Sequence, residues 1–138
     1  MESDLKVLLV EDDPTVAEMY RYRLEIDGYH VTVATDGESG LEQAAHVQPD
    51  LIYLDLRLPE MDGFTVLEKL RADDSLKAIP VVILTNYSEP ELVERGLKLG
   101  ALDYLVKAET TPAHLSERMD KWMAEETISS RGEAGLPK

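Results

Sequence analysis

Four segments of this 138-residue chain end an apolar run on a group that can do chemistry. Residues 5–10 run into Glu11, Asp12 and Asp13, and residues 51–54 into Asp55. Residues 81–84 run into Thr85, and residues 101–106 into Lys107. Carboxylates brought together repel one another and raise their own pKa values unless a cation compensates them. A hard divalent ion with oxygen ligands, Mg2+ being the natural choice, supplies that counter-charge. Lys107 adds a fixed positive charge and Thr85 a hydroxyl donor. Together these groups suit a phosphoryl group: metal and lysine neutralise its oxygens, the hydroxyl donates to it, and one carboxylate is the nucleophile. Each signal alone is ordinary. Asp55, followed by Pro59 and the Asp62-Gly63 turn, reads by itself as a turn cap, and Glu11-Asp12-Asp13 as a solvated helix start.

The combination matters only if the elements carrying these residues deliver them to one place. Residues 51–54 (Leu, Ile, Tyr, Leu) form a run with no polar member, the pattern of a strand buried on both faces of a parallel sheet. Residues 5–10, 29–34, 81–84 and 101–106 supply four more strands. Helices lie between them. Asp13-Pro14 is a helix start, with Val16, Met19, Tyr20 and Leu24 at helical spacing and Asp27-Gly28 as its stop. Asp36-Gly37 opens a second helix with Leu41, Ala44 and Ala45 on one face. Gly63 opens a third with Phe64, Val66, Leu67 and Leu70. The fourth runs from about Pro90 to Leu99, with Val93, Gly96 and Leu97 inward and Gly100 as its C′ residue. Thr111-Pro112 begins the fifth, whose Leu115, Met119, Trp122 and Met123 form a core-facing stripe. Strands joined by helical crossovers run parallel with helices on both faces, so the fold class is α/β, a doubly wound five-stranded parallel sheet with five helices. Every strand's carboxyl end then faces one edge, where such sheets bind ligands.

Composition narrows the field. A net charge of −14 opposes approach to nucleic acid phosphates and favours divalent cations. The absence of cysteine rules out disulfides and thiolate metal sites and fits a cytoplasmic location. No apolar stretch approaches the roughly 18 residues that span a bilayer, so no membrane association is expected. Residues 1–128 read as one domain, and 129–138, polar with Gly and Pro, as a flexible C-terminal tail. No second domain is read after the fifth helix, which leaves a stand-alone adaptor, a relay intermediate or an excised domain.

The acid pair Glu11-Asp12, the stretch Leu54-Asp55-Leu56 with Pro59, Met61, Asp62 and Gly63, then Thr85, Asp103-Tyr104 and Lys107 resemble the receiver domain of bacterial two-component response regulators. Intervals of 30 residues from Asp55 to Thr85 and 52 to Lys107 match that family. The resemblance spans roughly residues 4–127 and is of the stand-alone, chemotaxis-receiver-like kind. It implies a flavodoxin-like strand order, 2-1-3-4-5. It also implies that Asp55 is the modified residue, taking a phosphoryl group from a histidine kinase or phosphotransfer protein. Asp12, Asp55, Glu11 (through water) and the backbone carbonyl of Arg57 would hold Mg2+. Thr85 and Lys107 would bind the phosphoryl oxygens, and Tyr104 would follow Thr85 as a switch. A downstream effector would read the face of helix 4, strand 5 and helix 5, near Tyr87, Glu91, Arg95, Tyr104 and Trp122; a homodimer is a further arrangement. Asp13 falls to helix capping.

Three features depart from the family pattern. Ala108 stands where most receivers have Pro after a cis bond, and a non-proline cis bond costs about 2.5–4 kcal/mol, so either strain or another loop path is expected. Asn86 replaces a small residue and narrows access to Asp55. Arg57 and Tyr87 are bulky where water must attack, which implies slow autodephosphorylation. The competing readings are a pseudo-receiver that binds proteins without phosphorylation, an Asp-nucleophile phosphatase, and a flavin protein. The full constellation disfavours the first. Arg57, where a second acid would be needed, disfavours the phosphatase, and acids at the end of the first strand disfavour a flavin phosphate. No enzymatic turnover beyond the chain's own phosphoryl transfer is expected.

Overall fold

The computed structural model describes residues 5–122. Five strands, β1 (Lys6–Val10), β2 (His30–Ala34), β3 (Leu51–Leu54), β4 (Val81–Thr85) and β5 (Asp103–Val106), form one sheet in the order β2-β1-β3-β4-β5. All four pairings are parallel. Between them run α1 (Pro14–Ile26), α2 (Gly37–Val47), α3 (Gly63–Ala72) and α4 (Pro90–Lys98). A 3-10 turn (Lys107–Glu109) follows β5, and α5 is helical over 112–122. Class, order and connectivity match the expectation. Met123 and the tail 129–138 lie outside the described residues. Among those described, no helix is long and apolar enough to cross a membrane.

Alternation along the strands divides the core. Val7, Leu9, Tyr53, Val82 and Leu84 face α1 and α5, meeting Ala17, Tyr20, Leu24, Leu115, Met119 and Trp122. Leu8, Val10, Ile52, Leu54 and Ile83 face the other side, where Ala44, Phe64, Val66, Leu67 and Leu70 pack. Strands that feed both clusters have no polar face, which is why residues 7–10, 51–54 and 81–84 read as unbroken apolar runs.

Local chemistry starts most of the helices. Asp13 Oδ1 accepts from the backbone N–H groups of Thr15 (2.9 Å) and Val16 (3.2 Å). Asp36 and Asp62 cap α2 and α3 through the N–H groups of Ser39 and Thr65. Thr111 Oγ1 accepts from His114 N–H at the start of α5. Glu89, before α4, makes no side-chain cap. Gly100, at φ +101°, reverses the chain after α4 as its C′ position requires.

Some inward faces differ from expectation. On α1, Ala17, Tyr20 and Leu24 are buried while Met19 is 46% exposed. On α2, Ala44 is buried and Ala45 exposed. On α4 only Gly96 is fully buried and Leu97 is 47% exposed. A Cβ on Gly96 would sit 2.5 Å from Ile83 Cδ1, so the close approach of α4 to β4 fixes its rotation, with Leu92 and Leu99 packing instead. Trp122, expected near the face of helix 4, strand 5 and helix 5 as well as in the core stripe, is buried, its ring centroid 6.1 Å from that of Tyr53.

Candidate functional site: an acid pocket at the carboxyl edge

Register brings the groups together. Val10 pairs with Leu54, so Glu11 and Asp55 leave adjacent strands side by side. Backbone bonds extend the ladder one step further, from Asp55 N–H to the Val10 carbonyl (3.1 Å) and from Glu11 N–H to the Ala34 carbonyl (2.9 Å). Thr85 pairs with Val106, which delivers Lys107 next to it. A cavity of about 120 Å³ opens there, lined by Glu11, Asp12, Asp55, Arg57, Thr85 and Lys107, with Asp13, Val16, Asn86 and Tyr87 completing the wall. Of the expected site residues only Tyr104 stands outside it.

Lys107 is the centre of the charge arrangement. Its Nζ donates to Asp55 Oδ2 at 2.8 Å and lies 2.5 Å from Glu11 Oε1. The second Asp55 oxygen accepts from Arg57 N–H at 3.2 Å, and Glu11 Oε2 from Asp13 N–H at 3.0 Å. Glu11 and Asp55 are only 1% and 5% exposed, whereas Asp12 faces solvent. Burial lifts the Glu11 carboxyl above the usual glutamate range, against the pull of Lys107 and the Asp13 N–H. Burial works against the Lys107 ammonium too, but its hydrogen bonds to Asp55 and Glu11 outweigh that and hold its pKa above the ordinary lysine value.

Oxygens of Glu11, Asp12 and Asp55 lie within 4.8 Å of one another, a donor set that could hold a metal ion. Three carboxylates against one ammonium leave an uncompensated negative charge of the kind a hard divalent cation neutralises.

Thr85 is 1% exposed, and its Oγ1 accepts from Tyr87 N–H at 3.5 Å, so its own proton is not used in that contact. Tyr104 is half-buried on β5 and donates its hydroxyl to the Tyr87 carbonyl at 2.7 Å. It is therefore linked to the cavity through a residue of its wall. Burial, reinforced by the charges of Glu89 and Asp55, pushes its pKa up to about 12.

The chain after Lys107 takes the second of the two expected paths. No cis peptide occurs among the described residues, and the 3-10 turn closes with Thr110 N–H on the Lys107 carbonyl. Sequence reasoning missed what holds this turn in place. Tyr20, read only as part of the α1 stripe, donates its buried hydroxyl to the Thr110 carbonyl at 2.9 Å. The two residues are 90 positions apart, and no local pattern could have paired them.

Residues 7–120 match the family described as response regulator receiver domain. The DNA-binding dual master transcriptional regulator RpaA of Synechocystis sp. is 43% identical over 102 residues, covering 74% of this chain and 42% of that protein. Among solved structures, chemotaxis protein CheY4 of Vibrio cholerae is 31% identical with a TM-score of 0.80, covering 86% of this chain and 98% of that one. A CheY-like receiver domain protein of Methanospirillum hungatei is 27% identical with a TM-score of 0.85, covering 92% and 99%. The chain thus spans less than half the length of curated relatives such as RpaA, which are named as transcriptional regulators rather than enzymes, and nearly all of the solved receivers. With its sheet order, its acid pocket and these likenesses agreeing, the chain belongs to the response regulator receiver domain family, the phosphorylation-controlled signalling modules of two-component systems.

Proposed function

We propose that Asp55 is the phosphoacceptor and that its phosphorylation is relayed to the flank of the sheet formed by α4, β5 and α5. The observation that carries this is the Lys107 ammonium bridging Asp55 and Glu11 beside Asp12. A carboxylate oxygen of Asp55 attacks the phosphorus of a phosphohistidine on a kinase or phosphotransfer protein. The P–N bond breaks, and the imidazole keeps the electron pair and takes up a proton. An acyl phosphate results on Asp55. Its added charge, about −1.5 to −2, falls where Lys107 and Thr85 can meet it. A divalent ion, Mg2+ on this reading, would be held by Asp12, Asp55, Glu11 and the Arg57 carbonyl, and would supply positive charge to the phosphoryl oxygens.

Lys107 then transfers its hydrogen bond from the Asp55 carboxylate to the phosphoryl group, and Thr85 offers its hydroxyl. Movement of Thr85 draws on residues 86–88, and with them the Tyr87 carbonyl that holds the Tyr104 hydroxyl. A charge event at one residue thereby biases a two-state element that a partner can read. Arg57, Asn86 and Tyr87 crowd the route of attacking water, so the acyl phosphate is long-lived. The receiver unit is assigned to 1–128 with a tail over 129–138, and the protein to the cytoplasm, where it meets its kinase and effector or a second copy.

Intact mass after incubation with Mg2+ and acetyl phosphate tests this. The wild type gains one phosphoryl group, Asp55→Asn gains none, and chelating the metal abolishes the gain. No adduct from either the small donor or a phosphorylated phosphotransfer protein would leave a pseudo-receiver, and turnover of phosphate esters would leave a phosphatase.

A further inference from the structure

Six arginines lie among the described residues. Arg21, Arg23 and Arg118 are paired with carboxylates, and Arg71 donates to the carbonyls of Lys77, Ile79 and Gly100. Among the described residues, Arg57 and Arg95 are in neither group, although the chain carries a net charge of −14. Both are exposed, and both line one groove of about 320 Å³ between the loop after β3 and the first turns of α4. Its floor is apolar, built from Leu56, Leu58, Phe64 and Leu92. The Arg95 guanidinium lies 4.2 Å from the Phe64 ring centroid, which holds the cation over the groove at little further entropic cost. One acid, Asp62, also lines the groove, and one of its oxygens is engaged in capping α3.

An apolar floor beneath two guanidiniums without carboxylate partners, on a surface otherwise rich in acids, is complementary to carboxylates interleaved with large apolar side chains. We propose that this groove, on the α3 side of α4, docks an acidic, apolar-bearing peptide segment of a partner protein. Arg57 and Tyr87 line both the groove and the acid pocket. On the reading of Asp55 given above, docking and phosphorylation therefore influence each other, and reciprocally.

Selection of a displayed random dodecapeptide library against the full chain tests the proposal. Enriched peptides should carry at least two Asp or Glu beside Leu, Phe or Trp. The synthesised consensus peptide should shift the amide resonances of Arg57, Leu58, Phe64 and Leu92. Arg95→Glu should weaken it at least tenfold, Arg95→Lys less, and Lys69→Glu, on α3 outside the groove, not at all. Circular dichroism and phosphorylation of Asp55 check that the variants fold. No enrichment, enrichment of basic peptides, shifts elsewhere, or equal binding to Arg95→Glu would overturn the proposal. Concentration-dependent self-association shifting the same residues would overturn it in favour of a second copy. Peptide binding that leaves the rate of phosphorylation by acetyl phosphate unchanged would sink the coupling alone. Loss of phosphorylation altogether would count against Asp55 and not against the groove.

Discussion

Helices α1 and α4 begin beside the same acid pocket and are fastened in opposite ways. Asp13 caps α1 with two backbone hydrogen bonds, and Ala17, Tyr20 and Leu24 bury one face. The Tyr20 hydroxyl also ties α1 to the turn that aims Lys107, and Asp27 at its far end accepts from Ser116 of α5. Helix α4 has no side-chain cap and buries only Gly96. Its C-terminal end is held by Arg71 on the Gly100 carbonyl and by Arg95, in the last turn, over Phe64, while only the Tyr104–Tyr87 hydrogen bond fastens the loop before its N-terminal end. The fixed charges of the site thus sit on the tightly built half of the molecule, and the element proposed above to move is drawn from the half with few buried contacts. A receiver needs both: a pocket that does not yield when charge is added, and a neighbour that does.

Truncation in the core gives the widest separation. Leu8→Ala, fully buried in β1, should cost about 2–5 kcal/mol in urea unfolding. Leu97→Ala on α4 should stay within about 0.5 kcal/mol. Equal losses would mean that α4 is as firmly packed as the centre.

Gly63→Ala addresses the pocket itself. Its Cβ would press on the backbone of Asp55 and Leu56, 2.7 Å from Leu56 Cα, and backbone cannot turn aside as a flexible side chain can. A loss of roughly 1–3 kcal/mol is expected. Slower phosphorylation of Asp55, followed by intact mass, should accompany it.

Caps provide a finer contrast. Asp13→Ala should destabilise by about 1 kcal/mol, since two N–H groups lose their acceptor. Glu89→Ala should shift thermal unfolding less, because that side chain makes no helix cap and accepts only an exposed bond from the Ser88 N–H.

High pH is the mildest probe. Burial raises the pKa values of Tyr20, Tyr29, Tyr53 and Tyr104, with the bond to Asp120 adding to the effect at Tyr29. A raised folded-state value means that the folded chain binds protons more tightly than the unfolded one. The resulting stability is fully present below the unfolded value of about 10 and declines as pH rises through the folded values. Denaturation midpoints should fall between pH 10 and 12 together with the rise of tyrosinate absorbance. A midpoint that is flat across that range would argue against protonated, buried tyrosines.

Much of this was legible in the sequence because the signals are short-range. An unbroken apolar run such as residues 51–54, ended by an acid, fixes both a central strand and the edge on which Asp55 must sit. Asp-Pro and Asp-Gly pairs mark the helix starts. Strand order came from the resemblance and not from the residues. Helix rotation differs from expectation where small residues sit inward: Met19 and Leu97 look like core but are exposed, while Ala17 and Gly96 are buried, Gly96 against the side chains of Ile83 and Tyr104. Contacts between distant residues left no trace in any window, so neither the Tyr20–Thr110 bond nor the Arg71 staple could be foreseen. The missing proline at Ala108 was visible, but its consequence depended on the trans 3-10 turn that the structure supplies.

Amide hydrogen exchange, with and without beryllofluoride and Mg2+ loaded at Asp55, tests the central claim most directly. Residues 86–95 should change their protection several-fold on loading, while residues 16–26 of α1 keep theirs. Confirmed loading that leaves 86–95 unchanged, or that alters α1 as much as α4, would contradict the division of the molecule into a fixed pocket and a movable flank.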